Sequence, residues 1–295
     1  MKDFGGEWTE QKLKAFIKYV KAYLTILKKQ KWQTIYFDGF AGYGNKTKEK
    51  SLDKYNLLTL FDLEEEVENI DVYEGSVQRI LSLKEPHTFD YYYFIDSNEK
   101  YIKNLEETKS EIVHISQNRI IIRKDDCNNQ IIKLADALKR KKYAALIFLD
   151  PFGMQVKWKV LENLRNTRSD LWILLPSGVA INRLLDKDKK LKHKEKLMEL
   201  FGLPIQEIEK EFYQEIESET IFGKEVKEEK IKNPINHIAN LYIQQLRTIW
   251  KFVLEKPLIL YNTKNCPIFH FIFASNNKVG LRIASDIIVK EQDNG

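Results

Sequence analysis

Cysteine is scarce in this 295-residue chain, which has only two, Cys127 and Cys266. Two cysteines so far apart in sequence provide neither a disulfide framework nor, without other ligands, a zinc site. The sequence also lacks an apolar run long enough to cross a bilayer, and residues 1–10 are charged. These absences argue against a disulfide-rich secreted protein and against a membrane-inserted one, and they predict a cytoplasmic location.

Metal-ligand spacing is missing as well. His193 and His237 show none, and His270 lies inside the apolar segment 268–272, where a hydrogen-bonded structural histidine is the usual finding. The sequence therefore predicts no metal site, and it offers no Ser-His-Asp or Cys-His pair for nucleophilic catalysis.

Neither sign of charge dominates, because 48 lysines and arginines face 43 acidic residues and leave a net charge of +5. That balance permits a polyanionic partner without requiring one. The most basic stretch, residues 183–196, has acids interleaved with its lysines. It has two interpretations, a solvated helix face or a segment that follows phosphates.

Apolar segments alternate with amphipathic ones along the chain. A helix is predicted over residues 7–31. Five strands alternating with helices are predicted, and two more close as an antiparallel hairpin; the seven segments are 34–38, 91–96, 119–123, 143–149, 171–175, 257–261 and 268–274. This pattern predicts an α/β, Rossmann-like fold with a seven-stranded, mostly parallel sheet, in an order typical of class I methyltransferases.

Three parts of the chain are distinguished on this basis. Residues 1–33 are predicted to form a helix packed on the core, and residues 34–179 with 251–295 the Rossmann-like core. Residues 180–250 are predicted to form a charged helical insertion on the substrate side. A second insertion is predicted over residues 45–71, with a helix at 57–63.

The turn after the first predicted strand is rich in glycine. The segment 35–44 reads Ile-Tyr-Phe-Asp-Gly-Phe-Ala-Gly-Tyr-Gly and lacks the Gly-Lys-Ser/Thr ending of a triphosphate-binding loop. Glycines allow a ligand to approach the backbone closely, and Asp38 is suited to an ammonium group. The turn therefore predicts a site for S-adenosylmethionine, with a tight strand-to-helix connection as the alternative. The cofactor residues predicted here are Asp38, Gly39, Phe40, Ala41, Gly42 and Gly44.

Acidic residues also end the next strands. Ligands of open α/β sheets bind outside the carboxyl ends of the strands, so these acids are candidate ligand contacts. Asp96 is predicted to accept hydrogen bonds from ribose hydroxyls, with a solvated strand end as the alternative. Asp125 or Asp126 is predicted to accept from the adenine amine, while Cys127 or Ile122 packs on the ring.

The fourth strand ends in Asp150-Pro151-Phe152-Gly153. Asp150 can accept a hydrogen bond from a substrate amine, and Phe152 can stack on a flat substrate. Pro151 fixes the turn and Gly153 follows it. We predict these four residues as the catalytic segment, with an ordinary turn after a buried strand as the alternative.

These landmarks together resemble the three-Cys-motif partner (TcmP) family nearly from end to end. The matching segments are Trp8-Thr9, Tyr36–Gly44, Gly75-Ser76, Phe94-Ile95-Asp96, Phe148–Gly153 and Phe269–Ser275. The resemblance implies a class I methyltransferase-like protein and a partner protein with a three-cysteine, radical-SAM-like motif. It does not imply a substrate. The run Asp150–Gly153 is also similar to that of tRNA guanine amino-group methyltransferases.

The sequence therefore predicts an S-adenosylmethionine-dependent methyltransferase that acts on an exocyclic amino group of RNA or DNA. The alternative is a non-catalytic module that binds cofactor or nucleic acid and serves a three-Cys-motif protein. A nicotinamide-dependent oxidoreductase is disfavoured, because residues 39–44 do not follow the Gly-x-Gly-x-x-Gly pattern.

Overall fold

An eight-stranded sheet forms the centre of the molecule. The structure, a computed structural model, describes residues 6–42, 75–187, 189–220 and 223–293. The strands of the sheet are β1 (Gln33–Asp38), β2 (Tyr91–Asp96), β3 (Ile120–Lys124), β4 (Tyr143–Leu149), β5 (Ser169–Leu175), β8 (Phe252–Val253), β9 (Leu258–Tyr261) and β10 (Pro267–Ser275). The remaining two strands, β6 (Tyr213–Thr220) and β7 (Gly223–Lys230), form a separate sheet.

The strand order is β3-β2-β1-β4-β5-β10-β8, with β9 also paired to β10. The first five strands in this order are parallel, and β10 runs antiparallel to β5. The chain moves outward from β1 to β3 and then crosses back to β4, so the direction of winding reverses between β1 and β4. The predicted Rossmann-like, mostly parallel sheet with a C-terminal antiparallel hairpin is confirmed.

Helices cover both faces of the sheet. They are α1 (Gly6–Leu27), α2 (Ser76–Leu81), α3 (Glu99–Glu111), α4 (Cys127–Lys139), α5 (Trp158–Leu161), α6 (Asn182–Leu184), α7 (Lys194–Phe201), α8 (Ile205–Phe212), α9 (Pro234–Leu246) and α10 (Lys278–Asp293). Strand β5 is buried along its whole length and β4 at every residue but the first. Near-continuous apolar strands of this kind are typical of parallel sheets covered on both faces.

The two faces have cores of different composition. The face beneath α1 is rich in aromatic side chains, with Phe16 against Phe148 at a centroid distance of 4.4 Å and Trp172 against Phe271 at 4.6 Å. The opposite face, beneath α4 and α9, is built largely from aliphatic side chains of β4 and β5. Because successive side chains of a strand point to opposite faces of the sheet, the aromatic and aliphatic residues lie on different faces.

Two predictions about the elements need correction. The sheet contains the seven predicted strands and, in addition, β8, which has two residues. Residues 180–250 are not entirely helical, because β6 and β7 form an antiparallel hairpin within them. Glutamate and lysine dominate that hairpin and favour helix by intrinsic propensity. The buried side chain of Tyr213, whose hydroxyl donates to the carbonyl of Asp186 at 2.7 Å, anchors its first strand instead.

The predicted insertion over residues 45–71 and its helix at 57–63 lie outside the described residues. Within the described ranges, no helix is both long and apolar enough to cross a membrane.

Candidate functional site

A pocket of about 360 Å³ opens at the carboxyl ends of four neighbouring strands. The segments that follow β1, β2, β3 and β4 each contribute to its wall. The lining residues are Gly39, Phe40, Asp96, Ser97, Asn98, Tyr101, Asp125, Asp126, Cys127, Asn128, Phe152, Met154, Gln155 and Lys157. The pocket therefore lies where the direction of winding reverses, which is the usual ligand site of open α/β sheets.

Asp96 joins two of these segments. Its carboxylate accepts from the backbone N–H of Gly42 at 3.0 Å and from that of Asn98 at 2.8 Å. Burial raises the pKa of Asp96, and the backbone hydrogen bonds oppose that rise. Asp96 thus holds the glycine-rich turn against the end of β2 while its side chain lines the pocket.

Asp125 and Asp126 both line the pocket, and their carboxylates have different roles. Asp126 caps helix α4 by accepting from the N–H of Asn128 at 2.7 Å. Asp125 accepts hydrogen bonds from the side chains of Asn129 and Gln130, and these hold its pKa below the usual range. The sequence left open which acid faces the ligand, and both contribute to the wall.

Asn128, which was not predicted, braces the pocket. Its side-chain amide donates to the carbonyl of Gln155 at 2.9 Å, and its side-chain oxygen accepts from the N–H of Lys157, also at 2.9 Å. These bonds tie the start of α4 to the segment after β4. Asn128 is the second residue of α4, and no local sequence pattern predicts its contacts with the segment after β4.

Asp38 is fully buried behind the pocket rather than in its lining. Its carboxylate accepts from Ser76 Oγ at 2.8 Å, from Tyr36 Oη at 3.1 Å and from the N–H of Phe40 at 3.2 Å. Burial raises the pKa of Asp38 to about 7, and the nearby charge of Asp150 adds to the rise. The same carboxylate thereby connects the end of β1 to the start of α2.

Asp150 forms an ion pair with Lys12 of helix α1, with Nζ 2.5 Å from Oδ2. The Lys12 side chain is 3% exposed and the Asp150 side chain 28%. Lys12 also lies over the ring of Trp8, 5.4 Å from its centroid. A lysine in an amphipathic helix is usually exposed, so the sequence offered no reason to predict a role for Lys12.

The rest of the Asp150–Gly153 segment lies beside the pocket. Phe152 is 39% exposed and lines it, whereas Pro151 and Gly153 are buried and do not. The N–H of Phe152 donates to Gln155 Oε1 at 3.1 Å.

Different physical constraints favour glycine at positions 39 and 42. A Cβ on Gly39 would overlap Cys127 Sγ and lie 2.6 Å from Leu149 Cδ2, so packing inside the protein excludes a side chain there. Gly42 has φ of +59°, which favours glycine on conformational grounds. Ala41 is buried, and Gly44 lies outside the described residues.

The structure therefore brings together most of the predicted cofactor residues and one predicted catalytic residue, Phe152. In the pocket wall are Gly39, Phe40, Asp96, Asp125, Asp126, Cys127 and Phe152. Asp38, Ala41, Gly42, Asp150, Pro151 and Gly153 are adjacent to those residues in the chain without lining the wall. The residues that the sequence reasoning missed are Lys12, Ser97, Asn98, Tyr101, Asn128, Met154, Gln155 and Lys157.

The histidines remain outside this site. His270 is buried and its Nδ1 lies 2.6 Å from Ser177 Oγ, while burial lowers its pKa to about 4. His237 pairs with Glu211 at 2.7 Å. The described part of the chain contains no cluster of three histidine, cysteine or acidic side chains that could hold a metal ion.

The sheet order defines a Rossmann-like, class I methyltransferase-like fold, and the pocket lies at its winding reversal. No protein-family model and no curated protein sequence matches the chain.

Solved structures with some similarity include three proteins. Protein LPL1258 from Legionella pneumophila str. Philadelphia 1, of family model DUF519, is 12% identical over 95% of this chain and 92% of that one, with a TM-score of 0.43. Trm1 from Pyrococcus horikoshii, solved with S-adenosyl-L-methionine, is 12% identical over 95% of this chain and 58% of that one, with a TM-score of 0.43. The plantazolicin methyltransferase BpumL, solved with a triazolic desmethylPZN analog and SAH, is 13% identical over 91% and 86%, with a TM-score of 0.31.

Proposed function

We propose that this protein is an S-adenosylmethionine-dependent methyltransferase that modifies an exocyclic amino group of a nucleic acid. The observation that carries the proposal is the pocket itself. Carboxylates from the ends of β2 and β3 and apolar side chains line one cavity beside the Asp150–Gly153 segment. Its volume of about 360 Å³ falls within the range of small-molecule sites.

The residues of the pocket fit this cofactor. Asp96 would accept hydrogen bonds from the ribose hydroxyls, as an acid at the end of the second strand does for dinucleotides. Asp125 or Asp126 would accept from the adenine amine, with Cys127 beside the ring. Gly39 and Phe40 would border the methionine end. When bound, S-adenosylmethionine supplies an electrophilic methyl group.

The fully buried carboxylate of Asp38 would act on the methionine end indirectly. Its three hydrogen bonds fix the glycine-rich turn and the start of α2. Replacing Asp38 should therefore weaken cofactor binding through the shape of that turn.

The Asp150–Gly153 segment would act on the substrate. Lys12 holds Oδ2 of Asp150, and the other carboxylate oxygen would accept a hydrogen bond from the substrate amine and raise its nucleophilicity. Phe152, partly exposed at the pocket, would stack on a flat base. Pro151 and Gly153 set the turn that presents both side chains. Methyl transfer depends chiefly on alignment of the amine, which this short segment would provide.

A second candidate function is a non-catalytic module that serves a partner protein, such as the three-Cys-motif protein that the family resemblance implies. The ion pair between Lys12 and Asp150 favours it, because Asp150 already has a protein partner. Such a module would bind the cofactor without transferring a methyl group.

Calorimetric titration with S-adenosylmethionine and S-adenosylhomocysteine tests the pocket. Asp96→Asn should weaken binding by at least about tenfold, because hydrogen bonds to a charged group are lost. Asp286→Asn is the matched control, since Asp286 is exposed on α10, and should bind as the wild type does. Absence of binding by the wild-type protein would refute the cofactor assignment.

A labelled-methyl transfer assay over RNA and DNA pools tests the reaction. Transfer that Asp150→Asn abolishes while cofactor affinity is retained would support the catalytic role. Cofactor binding without transfer to any pool would favour the partner module.

A further inference from the structure

The end of the sheet opposite the pocket is strongly basic. Three loops enter β1, β4 and β5 at their amino ends. Counting the second from Lys139, the last residue of α4, they are residues 28–32, 139–142 and 165–168. Together they contain nine lysines and arginines and no acidic residue. We call this surface the basic edge.

The three loops form one surface because their strands are neighbours in the order β1-β4-β5. Arg168 connects them directly. Its guanidinium donates to the carbonyls of Lys141 at 3.1 Å and Tyr143 at 3.2 Å, and it lies 3.8 Å from the ring centroid of Trp32. The N–H of Gln33 also donates to the carbonyl of Lys142 at 3.1 Å.

Few of these charges are neutralised by acidic residues in the part of the chain that the structure describes. Lys28 pairs with Glu85 at 2.8 Å and Lys139 with Asp136 at 2.8 Å. The other seven have no acidic partner among the described residues. They are Lys29, Lys31, Arg140, Lys141, Lys142, Arg165 and Arg168, all exposed except Arg168, which is half-buried.

Helix dipoles explain only part of this charge. Helices α1 and α4 end at the basic edge, and the negative end of a helix dipole favours cations within the last turn. Two helix ends do not require nine cations, and Arg165 and Arg168 follow neither helix.

The chemistry of the edge favours a nucleic acid over a membrane. Guanidinium and ammonium groups side by side suit a row of phosphates, and Trp32 adds an aromatic ring to the same surface. Insertion into a bilayer requires exposed apolar side chains, and the three loops contain no large hydrophobic side chain that is exposed.

We propose that the basic edge binds the phosphate backbone of single-stranded nucleic acid, at a site separate from the pocket. The strands between the two ends are 6 to 7 residues long, which separates them by roughly 20 Å. Binding at the basic edge needs neither the cofactor nor methyl transfer, so it does not depend on the proposed function.

Two variants of equal charge test the proposal. The edge variant carries Lys29→Gln, Lys31→Gln and Arg140→Gln, and the control variant carries Lys14→Gln, Lys256→Gln and Lys264→Gln, which lie outside both the basic edge and the charged segment 183–196. All six residues are exposed, and each variant loses three positive charges. Fluorescence anisotropy with a labelled single-stranded RNA of about 16 nucleotides measures binding between about 50 and about 200 mM salt.

The edge variant should bind the RNA at least about tenfold more weakly than the wild type, and its slope of log K against log salt should fall by about 2. The control variant should stay within about twofold of the wild type. Cofactor affinity of the edge variant should be unchanged, which separates this result from a failure of the pocket assignment.

Three outcomes would overturn the proposal. One is equal weakening in both variants, which would mean that net charge alone attracts RNA. Another is no binding of RNA or single-stranded DNA by the wild type. The last is binding to anionic phosphatidylserine vesicles, lost in the edge variant, without binding to nucleic acid, which would make the edge a membrane-binding surface.

Discussion

The two ends of the sheet have opposite chemistry. At the carboxyl end, acids follow β1, β2, β3 and β4, and most are held by hydrogen bonds inside the protein, as Asp38 and Asp96 are. At the amino end, the basic edge carries cations that mostly lack acidic partners in the described part of the chain. At the carboxyl end the acidic side chains lie in or beside the pocket, whereas at the amino end most of the basic side chains are exposed to solvent.

The charged groups at the two ends should therefore contribute differently to stability and to binding. Asp38 and Asp96 at the carboxyl end are desolvated and held by hydrogen bonds, so changing them should affect stability and ligand binding together. The basic-edge cations are solvated and long, so they should contribute little to stability and act through long-range attraction. Four predictions test this difference between the two ends of the sheet.

The largest effect is expected from Lys12→Met at the carboxyl end. Removing one partner of a largely buried ion pair leaves Asp150 uncompensated, and we expect a loss of about 3 kcal/mol in the free energy of unfolding. Lys14→Met, at an exposed position of the same helix, should change little. Denaturant unfolding measures both. The double variant Lys12→Met with Asp150→Asn should regain most of the loss, and a double variant worse than Lys12→Met alone would contradict the pairing.

Gly39→Ala should cost about 2 kcal/mol, because the new Cβ overlaps Cys127 and crowds Leu149. Gly153→Ala is the control, since no atom lies within 4 Å of a Cβ built there. Thermal unfolding compares the two. Combining Gly39→Ala with Cys127→Ala should recover part of the stability. If Gly39→Ala instead weakened only cofactor binding, ligand approach rather than packing would explain the glycine.

A smaller effect is a pH dependence at Asp38. Burial raises the pKa of Asp38 to about 7 and that of Asp170, near the other end of the sheet, to about 6. A raised carboxyl pKa means that the folded state holds its proton longer, so stability is lost as the pH rises through the folded pKa.

Between pH 6 and pH 7 the Asp38 carboxyl should therefore dominate this loss. Relative to the wild type, Asp38→Asn should gain about 1 kcal/mol across that interval, whereas Asp170→Asn should gain only about a third as much, because its lower pKa means that it releases most of its proton at lower pH. Contributions common to all three proteins, including that of His270, cancel in the differences. An identical slope for Asp38→Asn and the wild type would show that Asp38 is already ionised at pH 6.

The smallest effect on stability is expected from the edge variant defined above. Exposed, unpaired cations contribute little, so its free energy of unfolding should lie within about 0.5 kcal/mol of the wild type. Urea unfolding at matched ionic strength is the measurement. A loss well above about 1 kcal/mol would mean that these cations serve the fold, and the contrast between the two ends would disappear.

Much of the sheet was predictable because strand formation depends on patterns that span only a few residues. Segments such as 143–149 are apolar, short and bounded by turn residues, and the structure places β4 there. The hairpin of β6 and β7 was not predictable in the same way. Its charged residues favour helix, and only contacts such as that of Tyr213 with the carbonyl of Asp186 favour strand.

The site was predictable to a different depth. Parallel strands bring their carboxyl ends to one edge, so acids at strand ends could be expected near one another. The direction of each carboxylate could not be read in this way. Asp96 lines the pocket and Asp38 lies behind it, although both end apolar strands.

The sequence by itself determined the alternation of strands and helices, the glycine-rich turn and the acids at the strand ends, because periodicity and turn chemistry act over a few residues. The tertiary structure alone decided that Lys12 meets Asp150 across 138 positions. It likewise decided that three separate loops merge into one basic edge. Such pairings depend on strand order and helix packing, which bring distant residues together and leave no periodic pattern in the chain.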